Sequence, residues 1–224
     1  MSKIILVVAP HADDAELGVG AYLHREAERG ASTHVIVVAG GSRSASHLSP
    51  AAPGAREKEG AEAAKVLGIQ EYRFVYAAPD SAFNTAPRGD LVAALEREFV
   101  TVKPDELFIP LPSFHTDHAV TYEACVTALR PHLNRQFPGA VFAYEYPGNC
   151  WGPPIASNGK VYAPVSDSDL DAKLASLAKH RSQWASEKAS LYGERGVRAM
   201  AELRGAEIGV KAAELFYLTR SVLA

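Results

Sequence analysis

His11, Asp13 and Asp14 fall within the run Ala9-Pro10-His11-Ala12-Asp13-Asp14-Ala15-Glu16, and a second run, Phe114-His115-Thr116-Asp117-His118, lies far downstream. An imidazole beside carboxylates is a ligand set for a divalent metal, because nitrogen suits zinc and a hard oxygen donor neutralises the ion's charge. His11, Asp14 and one of the two later histidines supply three protein ligands and an open fourth position. That is the composition of a catalytic zinc site rather than a closed structural one. Each run alone has a plainer reading, since an Asp-Asp pair also caps a helix and favours its dipole. Together they supply a metal set with a spare carboxylate and a spare histidine, and this conjunction carries the metal reading.

Both runs must be held by strands. The segment Ile4-Ile5-Leu6-Val7-Val8 is apolar without alternation, the pattern of a strand buried on both faces, and Leu107-Phe108-Ile109 after the breaker Lys103-Pro104 is its shorter counterpart. Residues that follow such strands sit at the carboxyl edge of a parallel sheet, where open α/β sheets bind ligands. If the two strands are neighbours, the two clusters meet.

The rest of the chain alternates in the same way. Helices are expected at 15–29, 55–67, 90–100, 117–132 and 169–191, the last capped by Asp167 or Ser168. Strands are expected at 33–39, 72–76, 141–146 and 214–217. The pattern implies an α/β, Rossmann-like three-layer fold, a single domain over 1–224 with a mostly parallel sheet and right-handed crossovers. The turn Gly40-Gly41-Ser42-Arg43-Ser44 belongs to the same carboxyl edge. The Ser-, Pro- and Ala-rich stretch 46–54 reads as a mobile loop over the site, and 147–164 as a long ordered loop whose Trp151 is either a binding wall or a lid packed on the core.

Composition narrows the partners. With 224 residues, 47% of them hydrophobic, and a net charge of -3, the chain can bury a full core and carries no basic stripe for nucleic acid. No apolar stretch approaches the length that spans a bilayer, and Met1-Ser2-Lys3 leads straight into the first strand, so a cytoplasmic protein with a small-molecule partner is expected. Cys125 and Cys150 suggest neither a disulfide framework nor a thiolate site.

With both clusters in hand, the sequence resembles the PIG-L/LmbE family of zinc-dependent N-deacetylases, whose signature is Pro-His-x-Asp-Asp-x-Glu followed by His-x-Asp-His. Arg56-Glu57, Pro79-Asp80, Lys103-Pro104-Asp105, Tyr144-Glu145, His180-Arg181-Ser182-Gln183 and Ala213-Glu214-Leu215-Phe216 match the family's later motifs in order. The resemblance implies Zn2+ held by His11, Asp14 and His118, with Asp13 as general base and His115 as the group that meets the oxyanion. It implies that Asp117 orients His115, and that Arg56 and Asp80 hold the sugar portion of the substrate, although Arg56 also reads as a surface residue paired to a nearby glutamate. It further implies removal of an acetyl or other acyl group from an N-acetylglucosaminyl-type sugar or conjugate, and a homo-oligomer. Ala12, Gly20-Ala21 and Ser113-Phe114 depart from the family's usual residues, and the last pair touches the pocket wall.

The chemistry would be amide hydrolysis. A protonated His115 paired with Asp117 is expected to face the tetrahedral oxyanion, while Asp13 moves the proton from water to the leaving amine. The alternatives are a hydrolase of another amide, a metal phosphohydrolase, for which the carboxylates are too few, and a metal-binding module without turnover. A dinucleotide-binding fold is a poor fit, because Gly18-x-Gly20 lies inside the first helix pattern.

Overall fold

The computed structural model describes residues 2–39, 54–78, 83–131, 137–149, 159–184 and 191–222. The strands are β1 (Ile4–Ala9), β2 (Ser32–Ala39), β3 (Glu71–Ala78), β4 (Glu106–Pro110), β5 (Ala140–Tyr144), β6 (Lys160–Pro164) and β7 (Ala213–Ser221). The helices are α1 (Asp14–Glu28), α2 (Ala55–Val66), α3 (Arg88–Val102), α4 (Thr116–Ala128), α5 (Asp167–Leu177), α6 (Arg181–Trp184) and α7 (Glu194–Ala206).

The strands form one sheet in the order β3-β2-β1-β4-β5-β7-β6. The first five run parallel, β7 runs antiparallel to β5, and β6 runs antiparallel to β7 at the edge. Ile5, Leu6, Val7, Val8 and Ala9 are all buried, as a central strand covered on both faces requires. Helix α1 packs on α5 and α5 on α2, while α3 packs on α4. Chain order reverses direction across the sheet between β1 and β4, with β2 on one side of β1 and β4 on the other. This switch point is where an open α/β sheet leaves a crevice at its carboxyl edge. Val7 pairs with Phe108, so Ala9 and Pro110 end side by side and the two clusters emerge next to each other.

Three expectations need correction. The stretch 147–164 is not loop throughout, because Lys160–Pro164 forms the edge strand β6, whose closing proline is tolerated where no further ladder bond is needed. The helix expected over 169–191 stops at Leu177, and its cap is Ser166: the Ser166 hydroxyl accepts from the Asp169 amide at 3.2 Å, while the Asp169 carboxylate accepts from the Ser166 amide at 2.9 Å. Helix α7 was not foreseen. Its buried stripe is Val197, Ala201 and Gly205, at helical spacing.

Cys125 is a buried free thiol in the core. Cys150, Trp151, the Gly40–Ser44 turn and all of the 46–54 loop except Gly54 lie outside the described residues.

Candidate metal centre

His11 follows β1 on a short connection to α1, and two bonds fix that connection from outside. The Pro10 carbonyl accepts from the Ala39 amide at 3.0 Å, and the Tyr72 hydroxyl of β3 donates to the Ala12 carbonyl. Asp14, the first residue of α1, folds back so that its Oδ2 accepts from the His11 amide at 2.8 Å. The same oxygen lies 3.1 Å from His11 Nδ1 and 3.2 Å from His118 Nε2, in the first turn of α4. Two imidazoles from separate strand ends therefore converge on one carboxylate oxygen. Ligands on a tetrahedral ion with bonds of about 2.0–2.2 Å stand about 3.3 Å apart, so the spacing suits a zinc-sized cation.

Asp14 is 4% exposed and His118 2% exposed. Burial alone would push the Asp14 carboxyl upward, but His118 and His11 outweigh it and hold the group well below the usual carboxylate range. An ionised oxygen between two imidazole nitrogens is the form that coordinates a cation. A second triad, His11, His115 and Asp117, shares His11 and includes the exposed His115.

Asp117 is buried, with Oδ2 3.0 Å from His11 Nε2 and Oδ1 accepting from the Phe83 amide at 3.2 Å. Its carboxylate thus engages the far nitrogen of His11, which leaves Nδ1 to face Asp14. This is the carboxylate–histidine arrangement that orients metal ligands. The expected pairing with His115 takes a different form. His115 is the N-cap of α4, and its Nδ1 accepts from the Asp117 amide at 3.3 Å, so the ring proton belongs on Nε2. Burial, then His11 and His118, lower the pKa of His115, which favours a neutral ring with Nε2–H over the imidazolium expected from sequence. His118 has no comparable outer partner among the described residues: its Nδ1 is buried without a hydrogen bond.

Asp13 occupies the N-cap position of α1 but makes no side-chain capping bond. Burial first, and Asp14 second, raise its carboxyl above the ordinary range, which suits a group that must take up a proton near neutrality. Arg56 lies in the first turn of α2 and is 6% exposed, which excludes the surface reading. Asp80 lies outside the described residues.

Sequence reasoning missed one buried pair. Glu16, fully buried on α1, meets His180 at 3.2 Å, and His180 is 1% exposed at the turn between α5 and α6. Burial alone would lower the His180 pKa, yet contact with Glu16 and the nearby charge of Asp13 raise it. Breaking a buried pair of this kind costs about 3–5 kcal/mol, so His180→Asn is expected to destabilise the fold by that amount at low pH. Because the folded pKa is raised, the contribution is complete below the ordinary imidazole value of 6.5 and fades as pH rises through the folded value. Urea midpoints of wild type and variant should therefore converge toward alkaline pH. A gap independent of pH would reduce His180 to packing.

A family model described as "PIG-L: GlcNAc-PI de-N-acetylase" matches residues 6–129, which hold both clusters, all of β4 and most of β1. The chain belongs to the PIG-L family. The "Uncharacterized deacetylase YaiS" of Escherichia coli (strain K12) is 28% identical over 186 residues, covering 80% of this chain and 91% of that protein. Among solved structures, the conserved protein TT1542 of Thermus thermophilus superimposes with a TM-score of 0.77 at 29% identity, over 98% of this chain and 96% of that one. The N,N'-diacetylchitobiose deacetylase of Pyrococcus horikoshii does so with a TM-score of 0.72 at 21% identity, over 97% of this chain and 84% of that one. The fold also carries another reaction: the 4-carboxy-2-hydroxymuconate hydratase GalB of Pseudomonas putida KT2440 matches with a TM-score of 0.75 at 18% identity, over 99% of this chain and 98% of that one. Membership of the PIG-L deacetylase family therefore rests on the matched sequence and not on the shared architecture. Among the described residues, no helix is long and apolar enough to cross a membrane.

Proposed function

We propose that this PIG-L protein is a zinc-dependent hydrolase that removes the acetyl group from the nitrogen of an N-acetylglucosaminyl-type sugar or conjugate. The observation that carries the reading is the convergence of His11 Nδ1 and His118 Nε2 on one Asp14 oxygen, with Asp13 beside it. His11, Asp14 and His118 would hold the ion. When bound, zinc supplies Lewis-acid polarisation of the acyl carbonyl and a water of lowered pKa.

The remaining steps belong to the chain. Asp13 accepts a proton from the attacking water and returns it to the amine as the C–N bond breaks. His115 donates its Nε2–H to the oxygen on which negative charge develops. Asp117 is a positioning residue, acting through His11. Arg56 and Asp80 are assigned to the sugar portion, on the family resemblance and, for Arg56, on its burial in the first turn of α2.

Acetate release from N-acetylglucosamine, its glycosides and diacetylchitobiose tests the reading directly. Turnover that is lost on chelation and restored by zinc is expected. Hydrolysis of phosphate monoesters instead, or metal binding with no release from any N-acyl sugar, would overturn it.

The role of Asp117 has its own test. Loss of an outer partner of a metal-bound histidine costs about 10- to 100-fold in metal affinity. Asp117→Asn is expected to weaken zinc binding by that factor in a chelator competition while the fold melts normally. An unchanged affinity would reduce Asp117 to a structural role in the fold, to which its bond with the Phe83 amide contributes.

A further inference from the structure

The backbone carbonyls between β1 and α1 are satisfied in two ways. Those of Pro10, His11 and Asp13 accept from the amides of Ala39, Asp14 and Leu17 at 3.0, 3.4 and 2.9 Å. The carbonyl of Ala12 accepts instead from a side chain, the Tyr72 hydroxyl on β3. Ala12 is buried, and a buried carbonyl stripped of its donor is costly, so this bond holds the peptide that leads from Ala12 into Asp13. Alanine adds little constraint of its own, having neither a ring nor a branch to narrow the backbone angles.

Helix α2 is shaped to let the tyrosine through. Gly60 lies in the middle of α2, where glycine is a poorer helix former than alanine, and it has no positive φ that would call for it. Its use is room. A Cβ at this position would lie 2.5 Å from Cε1, 2.7 Å from Cζ and 2.8 Å from the hydroxyl oxygen of Tyr72. The ring therefore runs close against the α2 backbone, edge to face with Phe74 at 5.9 Å, and its hydroxyl reaches the metal-binding connection from the sheet. Burial first, then the charges of Glu16, Asp13 and Asp14, push the Tyr72 pKa up, so the hydroxyl keeps its proton and donates.

His11, on the other side of Ala12, is held separately. Asp14 Oδ2 accepts from its amide at 2.8 Å, and Asp117 Oδ2 lies 3.0 Å from its Nε2. Loss of the Tyr72 bond should therefore fall on Asp13.

We infer that Tyr72 is a positioning residue for Asp13: its hydroxyl, admitted by Gly60, fixes the peptide entering Asp13 and so aims the carboxylate that moves the proton. This rests on the deacetylase reading above.

A double-mutant cycle tests it. Wild type, Tyr72→Phe, Asp13→Asn and the double variant are compared for acetate release from the p-nitrophenyl glycoside of N-acetylglucosamine, with zinc affinity from chelator competition and a thermal melt on each preparation. A misplacement of about 1 Å can cost about a hundredfold in rate, so Tyr72→Phe should lower kcat by at least about tenfold while KM and zinc affinity stay within about twofold. In the Asp13→Asn background the same change should cost less than about twofold, because no base is left to aim. Gly60→Ala, which keeps the hydroxyl but displaces the ring, should lower kcat in the same way, and it takes the place of Tyr72→Phe in the cycle if that variant does not fold. An unchanged kcat, or an equal loss in both backgrounds, overturns the role and leaves the hydroxyl to the fold alone. A fall in zinc affinity as large as the fall in kcat also overturns it and gives the bond to His11. No acetate release by wild type would overturn the deacetylase reading and this role with it, whereas release by wild type with additive losses overturns the role alone.

Discussion

Asp13→Asn is expected to lower kcat by a hundredfold or more while the protein keeps its metal. The amide is nearly isosteric with the carboxylate but cannot take the proton from the attacking water, and loss of a general base costs about 10²- to 10⁴-fold. The alternative, that Asp13 is only a helix cap, makes the opposite forecast for stability. A cap lost from an N-terminus costs about 1 kcal/mol, yet the Asp13 side chain makes no capping bond. Burial and Asp14 disfavour its charged form, so a neutral amide should leave the melting temperature unchanged or raise it. Single-turnover kinetics and a thermal melt on the same preparation separate the two. Parental turnover with a lowered melting temperature would return Asp13 to the capping role.

His118→Ala is expected to lose metal and activity together. His118 comes from α4, whereas His11 and Asp14 come from the connection between β1 and α1, so removing His118 takes away the one ligand the second cluster supplies, and removing His11 leaves a single ligand from each cluster. The loss should exceed the roughly 10- to 100-fold that removal of an outer partner costs. Elemental analysis of His11→Ala and His118→Ala checks it. Full zinc occupancy in both variants would dismiss the ligand set, and the overlapping triad of His11, His115 and Asp117 would be no rescue, since it too contains His11.

How much of this was legible in the sequence depended on how local the signal was. β1 and the cluster behind it could be read because five consecutive aliphatic residues and a polar break are contiguous. That the two clusters meet followed only from assuming adjacent strands, and the parallel pairing of Val7 with Phe108 supplies the adjacency. The partner of Asp117 was out of reach for the same reason. His115 is two residues away in the chain, whereas His11 is brought close only by the sheet, and the carboxylate bonds to His11. Glu16 and His180 lie in motifs noted separately, but their contact spans 164 positions. The antiparallel end of the sheet was harder still. β6 is short and ends in proline, so it does not stand out from its neighbours, whereas α7 carries a helical apolar period over 194–206 that the reading of the sequence passed over.

The most direct test of the account is a zinc titration of metal-free protein, with acetate release from the p-nitrophenyl glycoside of N-acetylglucosamine followed at each addition. Activity should start at the uncatalysed background, rise linearly and reach its plateau at one zinc per chain. Activity that survives in the metal-free protein, or a plateau that needs a second equivalent, would contradict a single site made by His11, Asp14 and His118.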